Sequence, residues 1–97
     1  MEIQRTNIMD NWVAICEQAD GELMIISGQD NIHPESREYS PMPAIGETLE
    51  GIGVVVYTDL HDPNRTLHVE KDDRGEWYLW EERYIGGLLS AEEAKAL

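Results

Sequence analysis

Asp59, His61, His68 and Glu70 are the residues of this chain whose types and spacing come nearest to a chemical site. They flank Asp62-Pro63-Asn64-Arg65, which has Asp and Pro where a type I turn wants them. If the chain folds back there, Asp59 and His68 become direct cross-strand neighbours, with His61 and Glu70 on the same face. Such a set could hold a divalent metal, or pair a histidine base with an orienting acid. A solvated polar face brings these residue types together just as readily, and their spacing matches no strong metal signature. The expectation is therefore no metal and no cofactor, with a small metal-binding or metal-dependent module on Asp59, His61, His68 and Glu70 as the alternative. His33, alone in a long connection, carries still less information.

Other catalytic patterns are missing. Gly46, Gly51 and Gly53 precede a strand-like run and not a helix, and Gly86-Gly87 is too short a signal for a phosphate cradle. The acidic runs lack the Asp, Asn and Gly order and the closing Glu of a calcium-binding EF-hand loop. Cys16 is the only cysteine, so neither an internal disulfide nor a CxxC pair can form, which fits a reducing, cytoplasmic setting. The chain reads as a non-enzyme. Residues 1–10 lack the basic and apolar segments of a signal peptide, and no apolar run approaches the ~20 residues needed to span a bilayer.

Charge is the unusual quantity. Asp and Glu number 20 against 7 Lys and Arg, a formal net charge of −13. Solubility of a small domain asks for a net charge of magnitude only about 2 to 8. So negative a surface repels nucleic acid and anionic lipid, because phosphate binding relies on Lys and Arg. Direct nucleic-acid and membrane partners are thus disfavoured, and a protein with a basic surface is favoured.

Residues 1–97 have room for one hydrophobic core and one domain, and a hydrophobic fraction of 41% suffices to fold it. Residues 12–18 and 22–28 are β-prone and flank Ala19-Asp20-Gly21, so Asp20-Gly21 at the centre of a tight hairpin turn sets Ile15 opposite Ile26 and Cys16 opposite Ile25. Cys16 then reads as a small core residue. Residues 29–43, with Pro34, Pro41 and Pro43, read as a long connection. A three-strand meander follows, its strands being 52–60, a second opened by Arg65 or Thr66, and 76–82. Asp72-Asp73-Arg74-Gly75 fits a three-residue hairpin loop with a bulge. Strand alternation puts Ile52, Val54, Val56, Leu60, Leu67, Val69, Trp77 and Leu79 on a core face. Tyr57, Asp59, His61, Thr66, His68, Glu70, Tyr78, Trp80 and Glu82 fall on the other. Ser90 and Glu93 form a capping box for a helix over 91–97, held by docking Ala94 and Leu97. The fold class is mainly β (α+β): a small antiparallel sheet or open barrel with an N-terminal hairpin, a meander and a short C-terminal helix.

Tyr78 and Trp80 fall outside the core formed by Trp77 and Leu79, so they are covered by another part of the chain or anchor a partner. Carboxylates crowd the same hairpin. The candidate partner-binding residues are therefore Glu70, Asp72, Asp73, Glu76, Tyr78, Trp80, Glu81 and Glu82. Rows of carboxylates suit a groove that normally holds phosphates. By functional analogy alone, small phage-encoded inhibitors of nucleic-acid-handling machines, anti-CRISPR proteins among them, act this way. A homodimeric accessory domain, its charge serving only solubility, is a third reading.

Overall fold

Short runs of β-branched and aromatic residues, punctuated by Asp and Gly, become strands too short to bury an apolar face without a second layer. The computed structural model describes residues 2–3, 11–30, 40–60, 66–81 and 84–97. Among these lie strands β1 (Glu2–Ile3), β2 (Trp12–Glu17), β3 (Leu23–Gly28), β4 (Thr48–Leu49), β5 (Gly53–Leu60), β6 (Leu67–Lys71), β7 (Trp77–Glu81) and β8 (Tyr84–Gly87), then helix α1 (Ala91–Lys95). They form two sheets ordered β3-β2-β5-β4 and β1-β6-β7-β8, in which every pairing is antiparallel.

The mainly β character, the N-terminal hairpin and the C-terminal helix are as expected, but the meander is displaced by one strand. It is β6-β7-β8, because β5 pairs with β2 and β4 and not with β6. The expected turn at Asp62 to Arg65 lies outside the described residues, and the strands on either side of it belong to different sheets. The physical reason is visible in β5 itself. Val54, Val55 and Val56 are all buried, so the strand needs apolar cover on both faces. A central place beside β2 provides it.

The main core lies between the sheets. Val13, Ile15, Leu23, Val54 and Val56 meet Leu67, Val69 and Leu79 there, and Ala94 of α1 closes one end. Burying each large aliphatic side chain contributes about 1.5–3 kcal/mol. A smaller cluster of Trp12, Ala14, Cys16 and Val55 occupies the opposite face of the β2–β5 sheet, with Ile26, Leu49 and Ile52 against it. The Trp12 indole N–H donates to the carbonyl of Ser40 at 2.7 Å, which ties the end of the long connection to this outer cluster.

Two local features correct the expected faces. A β-bulge separates Ile15↔Tyr57 from Cys16↔Val55, leaving Val56 as the extra residue. Alternation resumes one residue out of phase, so Tyr57 packs against the inter-sheet core while Leu60, expected inside, is 64% exposed. Ile52, also expected in the main core, packs with the outer cluster. The first hairpin is likewise offset by one residue, with Ile15 opposite Ile25 and Cys16 opposite Met24. Gln18 N–H donates to Glu22 O at 2.8 Å and Gly21 N–H to Gln18 O at 2.9 Å, enclosing three loop residues and not two. Gly21 takes φ +86°, the left-handed bulge position. The β6–β7 hairpin repeats the scheme as expected: Asp72 N–H bonds Glu76 O at 2.9 Å, Gly75 N–H bonds Asp72 O at 3.0 Å, and Gly75 has φ +80°.

The capping box forms: Glu93 N–H donates to Ser90 Oγ at 3.1 Å, and Ser90 N–H to Glu93 Oε1 at 3.0 Å. Ala94 docks as expected, whereas Leu97 is 82% exposed and takes no part. No helix among the described residues is long and apolar enough to cross a membrane.

Both hairpins depend on a left-handed glycine whose absent side chain would meet no other atom within 4 Å. Gly21→Ala and Gly75→Ala should each destabilise by about 1–2 kcal/mol through backbone strain alone. Gly75→Asn, which tolerates that conformation better, should lose less; chemical denaturation of the three variants measures the ranking.

Candidate functional site

In the sheet β1-β6-β7-β8, Leu67, Val69 and Leu79 point into the core, so His68, Glu70, Tyr78 and Trp80 occupy the outer face. Cross-strand register arranges them in two rows. One runs His68, Trp80, Ile85, and the other Glu70, Tyr78, Gly87. In the first, the His68 and Trp80 rings stack with centroids 4.0 Å apart and planes inclined by 12°. Ile85 beside them is 79% exposed. In the second, the Tyr78 hydroxyl donates to Glu70 Oε2 at 3.3 Å. The result is a half-exposed aromatic platform that ends in an uncovered aliphatic side chain.

The expected residues divide among three places. Glu70, Tyr78 and Trp80 share the outer face. Asp72, Asp73 and Glu76 lie exposed at the hairpin tip, where Asp72 is already engaged: its Oδ1 accepts from the Arg74 and Glu76 amides, both at 2.9 Å, and holds the turn. Glu81 belongs to the inward set with Trp77 and Leu79, opposite Tyr84, because strand alternation turns it away from Trp80. It therefore does not share the outer face with Tyr78 and Trp80. Glu82 lies outside the described residues.

The proposed His/Asp/Glu cluster does not assemble as expected. Asp59 stands opposite Val13 in one sheet and His68 opposite Trp80 in the other, so they are not cross-strand neighbours. The Asp59 carboxylate instead accepts the Tyr57 hydroxyl at 2.8 Å. His61 and His33 lie outside the described residues. No three His, Cys, Asp or Glu residues are placed to hold a metal among those described.

On the inward side of the hairpin tip is a half-open cleft of about 630 Å³, with Trp77, Glu76, Glu17, Leu88 and Glu93 among its lining. It is braced by its own walls. The Trp77 indole N–H donates to Gly21 O at 3.3 Å, Glu17 accepts from the Ala91 amide at 3.0 Å, and the Lys71 ammonium lies 5.0 Å from the Trp77 ring.

Compared with known proteins, the chain matches no family model, no curated protein and no solved structure. The site is thus described by its own residues. Ile85 is the member that sequence reading missed. Its strand, Tyr-Ile-Gly-Gly, is too short and too glycine-rich to announce itself by alternation.

The electrostatics of this face have a measurable signature. Desolvation and the neighbouring carboxylates of Glu70, Asp72 and Asp73 disfavour the phenolate, raising the Tyr78 pKa above its ordinary value of 10.0. Because the folded value exceeds the unfolded one, this contribution to stability is complete below the unfolded pKa and disappears as pH rises through the folded value. Ultraviolet titration should show one tyrosine ionising later than free phenol. Glu70→Gln, which removes the nearest charge and the acceptor carboxylate, should bring that transition down.

Proposed function

We propose that this protein is a non-enzymatic binding module whose carboxylate-bordered aromatic face engages a Lys- and Arg-rich surface on a partner protein. The observation that carries the reading is the juxtaposition of Tyr78, Trp80 and exposed Ile85 with Glu70, Asp72 and Asp73. No Lys or Arg side chain is paired with those three carboxylates among the described residues. The ion pair found there, Lys71 with Glu22 at 3.8 Å, is exposed and contributes little. Aromatic side chains supply contact area, and the carboxylates supply attraction and selection. A basic groove that otherwise holds nucleic acid is the partner chemistry that fits best, and the role is that of an inhibitor occupying it.

The reading is tested with partners captured from the native host and identified by mass spectrometry. The captured protein should present a basic surface, and binding should weaken steeply with salt, since the screening length falls from about 10 Å at 0.1 M to about 3 Å at 1 M. Screening alone does not separate a site from a diffuse field. Glu70→Gln with Asp73→Asn should therefore weaken binding by about tenfold or more, while Glu47→Gln with Glu50→Gln, an equal change in charge elsewhere, should have a much smaller effect. Equal losses would reduce the interaction to general attraction, and no loss in either protein rejects the reading.

A further inference from the structure

β8 is hydrogen-bonded to β7 on one side, and no other strand pairs with it among the described residues. The Leu88 amide donates to Trp77 O at 3.4 Å, and antiparallel alternation then turns the N–H and C=O groups of Ile85 and Gly87 toward the outer edge. Natural edges are usually blunted by charge, proline or a bulge. Tyr84-Ile85-Gly86-Gly87 has no charge and no proline, and its pairing with β7 is unbroken. Ile85 is 79% exposed, and a side chain at Gly87 would meet nothing within 4 Å.

We propose that the basic partner docks as an extended strand along the free edge of β8, adding a fifth strand to this sheet. The proposal rests on the reading above for the partner's charge and adds the geometry of its docking. Outward-facing side chains of the added strand would lie beside Ile85 and Gly87. An apolar residue covers the first. Gly87 presents no side chain, so a long basic one can cross it toward Tyr78 and the Glu70 carboxylate; Tyr78 is two strand spacings, about 10 Å, from the added strand. Arginine suits this position, because its guanidinium both stacks on an aromatic face and pairs with a carboxylate. Main-chain bonds supply affinity, and the alternating side chains supply selection. A second copy of this chain is disfavoured as occupant by the repulsion between two molecules of net charge −13.

The test uses the full chain and a labelled octapeptide, Val-Thr-Arg-Thr-Val-Thr-Arg-Thr, followed by fluorescence anisotropy. The control peptide has the same sequence and charge but is N-methylated at its valines and arginines, so it cannot pair with an edge. The unmodified peptide should bind the native protein about tenfold more tightly than its methylated form, the scale of one or two lost backbone hydrogen bonds. Gly87→Pro, which removes an outward N–H and no ladder bond, should erase that difference, while Gly87→Ala should retain it. Equal binding of the two peptides to the native protein overturns the strand and leaves the charge reading standing if that binding falls with salt. Failure of both peptides to bind also overturns it, and the paired charge variants then judge the partner's chemistry separately. A concentration-dependent dimer abolished by Gly87→Pro would overturn it in favour of a second copy.

Discussion

β2 is buried on both faces. Trp12, Ala14 and Cys16 point one way and Val13 and Ile15 the other, and all five are nearly inaccessible to solvent. A strand of this kind cannot stand at the surface of a single open sheet, because leaving either face in water would forfeit about 25 cal/mol for every Å² of apolar surface exposed. It must be central and have a layer on each side. β3 and β5 flank it, the β6–β7 sheet covers its inner face, and Trp12 with Ser40 helps to close the outer cluster. The same burial pushes the Cys16 thiol above its ordinary pKa, keeping it in the protonated form of a small core residue.

The second sheet is treated differently. Its inner residues Leu67, Val69 and Leu79 complete the core, but Trp80 and Tyr78 on the outer face are only half covered and Ile85 scarcely at all. The asymmetry follows from side-chain chemistry. An outer face bearing Glu70 and His68 tolerates water, whereas one bearing Ala14, Cys16 and Val55 does not. What remains exposed is thus a mixed aromatic and acidic surface beside a strand edge that no other strand pairs among the described residues, on a chain with far more carboxylates than cations.

Polar contacts hold the two sheets in relation at the end near the hairpin tips. Trp77 reaches the turn of the other sheet through Gly21, and Glu17 of β2 accepts from the first residue of α1. Both contacts join residues far apart in the chain, and they tether β7 and α1 to the β2–β3 hairpin. The platform behind the β6–β7 hairpin is consequently mounted on a braced support. Preorganisation of that kind lowers the ordering cost of binding.

Turn chemistry, the capping box and the acid excess were legible in the sequence because each depends on residues close together in the chain or on composition alone. Asp72 to Gly75 formed the expected loop, and Ser90 with Glu93 the expected cap. Asp20-Gly21 located a turn but not its length, since a tight turn and a three-residue loop with left-handed glycine use the same residue pair. The partition into two sheets was decided by tertiary structure: β5 pairs with β2 between residues 37 to 48 positions apart in the chain, since only there are all three of its valines buried. The bulge at Val56 then reversed the faces of Tyr57 and Leu60, because an alternation rule cannot register one extra residue. Asp59 and His68 were separated by the division into two sheets and Glu81 turned inward by alternation with Leu79, while Ile85 reached the outer face beside Trp80 through a pairing that local sequence does not encode.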